Sequence, residues 1–225
     1  MVSQRTTCPS PEYFPWGSLE LLCPQSTSVG TDMSLASYLN LGSARDETDY
    51  DFAIALNYGF TAGSPQILRF MTEHVEIVHS PTYSDWECCA TYSTTSALEV
   101  ALRILCNPGE TALIESHAYS GTLACARAVG VHLQSVKLDD NGLIPEDHDH
   151  VLTTWDLSKG QKPYVLYTIP TGQNPTGTTD IASRSNELDG YLSILPTSYL
   201  SLDVSGHVHK MNSTSKILAT GLRAG

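Results

Sequence analysis

The chain has 225 residues, of which 12 are basic and 24 acidic, giving a net charge of -12. That balance argues against a nucleic-acid surface, which needs clustered Lys and Arg to displace counterions. A 41% hydrophobic content suffices for a core, and no apolar run has the length of a membrane span or the form of a signal peptide.

Cys8, Cys23, Cys88, Cys89, Cys106 and Cys125 show neither CxxC nor disulfide-framework spacing, so a reducing cytoplasm is expected. Cys106 and Cys125 fall on apolar faces and are expected to be buried thiols. Cys8-Pro9-Ser10-Pro11-Glu12-Tyr13-Phe14-Pro15 is interrupted by Pro and reads as an extended arm. Residues 26–51 are polar and carry no motif. A Gly-rich loop, Tyr58 to Gly63, then leads through Ser64 and Pro65 into an apolar-periodic helix, with Ser as N-cap and Pro at N1. An isolated Tyr58 beside Gly59 serves either packing or a ligand.

Ser93-Thr94-Thr95-Ser96 precedes a helix over 97–106 that Asn107-Pro108-Gly109 stops. Leu98, Ala101, Leu102 and Leu105 share its apolar face, and Ser96 with Glu99 has capping-box spacing. The hydroxyls either cap this helix or, with its free amides, form an anion site. Thr111 to Glu115 reads as a buried strand, 123–129 as a helix and 131–136 as a second strand, which predicts a βαβ crossover. Tyr119 sits just past a strand end, where a side chain reaches a cleft.

Asp147-His148-Asp149-His150 and the alternating His207 and His209 offer metal-ligand types. Neither set has the spacing of a complete site, and no metal is expected. Tyr164-Val165-Leu166-Tyr167-Thr168-Ile169 reads as a buried strand that opens into Pro170-Thr171-Gly172-Gln173-Asn174-Pro175-Thr176-Gly177. Such a junction is where α/β proteins place chemistry, outside the carboxyl ends of their strands. Near the end, Ser213-Thr214-Ser215-Lys216 sets a lysine among hydroxyls, followed by Gly221-Leu222-Arg223.

The Pro-rich arm, the turn at Ser93–Ser96, the run through Asn174 and the Ser-x-Ser-Lys segment, in this order, resemble fold-type I pyridoxal-phosphate-dependent aminotransferases. The wording is most like the branch for aromatic amino acids, kynurenine and 2-aminoadipate. The resemblance implies an α/β fold, three-layered around a mixed, mostly parallel sheet. It makes 1–55 an arm and polar connection and 56–225 a partial cofactor-binding large domain. It implies that Lys216 condenses with the pyridoxal 5'-phosphate aldehyde and then moves the substrate proton. Asn174 would donate to the phenolic oxygen of the cofactor and Tyr119 would stack on its ring. Thr94, Thr95, Ser213, Ser215 and Arg223 would hold the phosphate, joined by Tyr58 from the partner subunit of a homodimer. Ser93 stands where the family has Gly.

The implied reaction moves an amino group between an aromatic or 2-aminoadipate-like amino acid and a 2-oxo acid, in the cytoplasm, and the motif wording hints at secondary metabolism. The family's Asp-x-x-Tyr, whose Asp pairs with the ring nitrogen, is missing between Asn174 and Lys216, and so is its small C-terminal domain. An internally shortened, truncated aminotransferase-like chain that binds cofactor weakly, or pairs with a full-length relative, is therefore the alternative. A metal-dependent enzyme using His148, His150, His207 and His209 has the least support.

Overall fold

The computed structural model describes residues 10–24, 38–44, 52–180, 198–216, 220 and 224–225. Arg223 lies outside them. The chain forms two units, Met1–Ser64 and Pro65–Gly225. In the first, a short 3-10 turn at Pro11–Tyr13 precedes strand β1 (Ser18–Pro24). β1 pairs antiparallel with β2 (Tyr38–Ala44), Ser18 opposite Ala44, and a single helical turn, α1 (Phe52–Ala55), follows.

The second unit opens with α2 (Pro65–His79), which starts at the proline the sequence pattern placed at its first turn. Helix α3 (Thr94–Leu105), strand β3 (Thr111–Glu115), helix α4 (Ser120–Val129) and strand β4 (His132–Val136) come next. A two-residue-per-strand hairpin, β5 (Leu138–Asp139) with β6 (Gly142–Leu143), leads into α5 (Pro145–Thr153). Strand β7 (Leu166–Tyr167) and the short α6 (Tyr199–Leu202) complete the described elements.

β3 is the middle of a parallel sheet ordered β4-β3-β7, with Thr111 opposite His132 and Leu113 opposite Leu166. Every residue of β3 is buried, as a strand covered on both faces requires. Leu98 and Leu102 of α3, one turn apart, pack with Ala112, Cys125, Ala126, Val129 and Val131 into one core. Burying a leucine is worth roughly 1.5–3 kcal/mol, against about 0.3–0.5 kcal/mol for an exposed helix ion pair such as Glu99–Arg103 at 2.8 Å. The apolar face therefore sets where α3 lies.

Helix α4 stops at Gly130, whose φ of 76° is left-handed and whose amide returns to the Ala126 and Arg127 carbonyls. Cys106 and Cys125 are buried as expected, and burial raises both thiol pKa values. Asp147-His148-Asp149-His150 lies within helix α5. In α5, Asp147 pairs with the Lys137 ammonium at 2.9 Å and accepts its backbone N–H at 2.9 Å. β7 is shorter and more exposed than the fully buried strand expected, because it is the outermost described strand and pairs through two residues only.

Candidate functional site

Two groups of predicted residues gather in the second unit. At the carboxyl end of β3, Glu115 is only 3% exposed. Its Oε1 accepts the Thr168 hydroxyl at 2.5 Å and the Ile169 amide at 3.0 Å, and its Oε2 accepts the Gln173 side-chain amide at 3.0 Å. The same Gln173 nitrogen donates to the His117 carbonyl. The Asn174 loop closes on itself through Asp180 N–H to Pro170 C=O (2.8 Å) and Gln173 N–H to Thr178 C=O (2.8 Å). The Asn174–Pro175 bond is cis. Asn174 stands exposed on this frame.

Tyr119 caps the start of α4, just past β3, and is 43% exposed. Its ring lies directly over Gly121, so close that any side chain at 121 would occupy the ring's place. Glycine there makes room for the aromatic rather than for a turn. The neighbouring Tyr167 phenol is raised in pKa, mainly by burial. Beyond the loop, the Tyr199 hydroxyl donates to the Asp180 carboxylate, and burial followed by that carboxylate raises the Tyr199 pKa.

The second group lies at the start of α3. The expected caps are not formed: Ser93 is the N-cap residue but its hydroxyl caps nothing, and Glu99 turns to Arg103 instead of back to the helix start. Thr94 and Thr95 enter the helix. The first helical bond is Ala97 N–H to Ser93 C=O at 3.0 Å, so the amides before it have no intrahelical partner. Ser93 itself is buried and holds φ 145°, ψ 171°, a conformation glycine adopts and other residues resist.

Against this helix start lies the Ser-x-Ser-Lys segment. The Thr94 hydroxyl donates to the Asn212 carbonyl at 3.4 Å, and Thr91 exchanges backbone bonds of 2.6 and 3.0 Å with Gly225. Thr214 N–H reaches the Ala224 carbonyl at 3.1 Å and Ser215 N–H the Ser213 hydroxyl at 3.0 Å, shaping a 3-10 turn over Thr214–Lys216. Hydroxyls from Thr94, Ser213 and Ser215 and the leading amides of a 12-residue helix suit a phosphate dianion. The exposed Tyr119 ring suits a flat aromatic ligand. Tyr58 belongs to the other unit and is 78% exposed.

Sequence reasoning passed over Glu115, Gln173 and Asp203. The Asp203 carboxylate accepts the amides of Ser205 (3.0 Å), Gly206 (2.9 Å) and Val208 (2.9 Å), and its backbone carbonyl takes the Thr82 hydroxyl at 2.5 Å. These amides, Val208 and Ser205 foremost, lower its pKa from 3.8 to about 2. The turn so formed launches the segment that ends in Lys216. Asp-x-Ser-Gly is a recognisable side-chain turn signal, and a lone Glu closing an apolar strand is the cue for Glu115.

A parallel sheet with polar loops at its carboxyl ends, beside a helix start facing a hydroxyl and lysine turn, is the fold-type I large domain, here incomplete. The sequence is 38% identical to aminotransferase swnA of Metarhizium robertsii, over 96% of this chain and 49% of that protein. It is 33% identical to an aromatic amino acid aminotransferase of Schizosaccharomyces pombe, over 96% of this chain and 55% of its relative. The crystal structure of aminotransferase Aro8 from Candida albicans superimposes with a TM-score of 0.87 at 28% identity, covering 100% of this chain and 56% of that one. No protein-family model matches the sequence. The chain is similar in sequence and fold to the fold-type I aminotransferases, and spans about half the length of the curated relatives it matches.

Proposed function

We propose that the chain is an aminotransferase that moves an amino group between an aromatic or 2-aminoadipate-like amino acid and a 2-oxo acid, using pyridoxal 5'-phosphate. The observation that carries this reading is the meeting of the α3 start with the Ser213–Lys216 turn, through Thr94 and Asn212 at 3.4 Å. Thr94, Thr95, Ser213, Ser215 and Arg223 hold the phosphate, with Tyr58 reaching it from the partner subunit of a homodimer. Tyr119 supports the ring face and Asn174 donates to the ring's phenolic oxygen. Lys216 anchors the cofactor and carries the proton to and from the substrate's α-carbon. When bound, the cofactor supplies an electron sink for that carbon. The aromatic substrate is supported by the name of the Schizosaccharomyces pombe relative. No helix among the described residues is long and apolar enough to cross a membrane. A cytoplasmic setting and a place in secondary metabolism are part of the proposal.

A second reading rests on the half-length match and on the missing Asp-x-x-Tyr: the chain binds cofactor without turnover, or pairs with a longer relative. Mixing the purified protein with pyridoxal phosphate tests both. A visible absorbance, and a borohydride-fixed mass increase on the Lys216 peptide, are expected and should vanish in Lys216→Ala. Transfer from tyrosine or 2-aminoadipate to 2-oxoglutarate should accompany them. Colour without transfer supports the second reading. Absence of both colour and mass increase refutes the cofactor site.

A further inference from the structure

The Asn174 loop is held less by its own strand than by side chains. β7 meets β3 at Leu166 and Tyr167 alone, and the chain beyond is secured from the neighbouring strand by Glu115. A carboxylate that is 3% exposed is costly unless its lone pairs are used. Among the described residues no cation pairs with Glu115, whose carboxylate is met by Thr168, Ile169 and Gln173.

Gln173, equally buried, uses both ends of its amide. Its nitrogen bridges Glu115 and the His117 carbonyl, while Oε1 accepts the Thr176 amide at 3.0 Å and hydroxyl at 2.7 Å. Asn174 follows Gln173 directly and lies in the chain between it and Thr176. We propose that Glu115 and Gln173 are positioning residues that fix the orientation of the Asn174 amide, and so set its grip on the cofactor. This rests on the cofactor reading above.

Glu115→Gln keeps a carbonyl for Thr168 and Ile169 but turns an NH2 toward the NH2 of Gln173. Flipping Gln173 to relieve this would face its nitrogen to the Thr176 donor. Leaving such buried groups unpaired should weaken pyridoxal phosphate binding by about tenfold. It should also shift the pH midpoint of the bound cofactor's visible absorbance, which a loss of stability alone leaves in place. The double variant Glu115→Gln/Gln173→Glu sets donor against acceptor again at the 115–173 contact and keeps an acceptor for Thr176, but it leaves the His117 carbonyl facing a carboxylate oxygen, so it should recover only part of the affinity and of the midpoint.

Amide exchange at Thr176 and Gly177 in the cofactor-free protein supplies a readout independent of cofactor. Exchange should quicken about tenfold in Glu115→Gln, given the cost of an unmade buried bond, and slow again in the double variant. Unchanged exchange, or a double variant no better than Glu115→Gln, overturns the proposal. A wild-type protein that shows the exchange pattern but takes up no cofactor overturns the cofactor-grip part and the site assignment, and leaves the brace itself established.

Discussion

Ser93→Gly should stabilise the protein. Ser93 holds φ 145° and ψ 171°, a region in which a residue with a Cβ is strained by about 1–3 kcal/mol. Glycine relieves that strain but gives the unfolded chain more freedom, at about 0.5–1 kcal/mol. The serine hydroxyl makes no capping bond, so no hydrogen bond is lost with it. The side chain is 6% exposed, and its removal leaves a small void. The balance is a gain of about 1 kcal/mol, or a rise of about 2–4 °C in Tm for a chain of this size. Thermal and urea unfolding followed by circular dichroism measure it, with Ser93→Ala as the control. Alanine keeps the Cβ and the strain, so it should bring no gain. If Ser93→Gly unfolds at the same temperature as Ser93→Ala, or lower, the strain assignment is wrong.

Acid should act through Asp203. Its folded pKa of about 2 lies below the ordinary 3.8, so its contribution is present above about pH 4 and lost as pH falls toward 2. Asp203→Asn should flatten stability across that window, read from urea midpoints at stepped pH; an unaltered acid limb would show that other carboxylates govern it. Gly121→Ala should push the Tyr119 ring from its seat over the start of α4. Tyrosine fluorescence and pyridoxal phosphate affinity should both change, with affinity falling about tenfold if roughly 1–1.5 kcal/mol of ring stacking is lost; equal affinity would remove Tyr119 from the ring face.

Local patterns were the legible part of this chain. The apolar run Thr111–Glu115 is a strand at the limits its sequence suggests, and α2 starts at Pro65. Helix α3 starts earlier than its apolar face because Thr94, Thr95 and Ser96 enter the helix instead of capping it, and Glu99 has a nearer partner in Arg103. β7 misled in the other direction. Its apolar residues read as central strand, but a ladder with one described neighbour leaves Leu166 partly exposed.

Motifs single out Thr94, Tyr119, Asn174 and Ser213 as candidates, but not the side chains that hold the loop around Asn174. Glu115 and Gln173 meet across 58 residues of chain, and nothing in either local pattern announces the other. Asp203 joins its turn to Thr82 over 121 residues in the same way. Periodicity reports which face of an element is apolar; it cannot report which buried polar groups will find each other.

β7 has one further consequence, for how copies of the chain behave together. A sheet whose outermost described strand is short presents backbone donors and acceptors to any strand that comes alongside, the usual opening for stacking and precipitation. Against it stands the surplus of 12 negative charges, which keeps molecules apart by mutual repulsion. Among the described residues no strand lies beyond β7, and the acidic composition opposes pairing there between copies, most strongly in dilute buffer and less as salt closes the range of the repulsion.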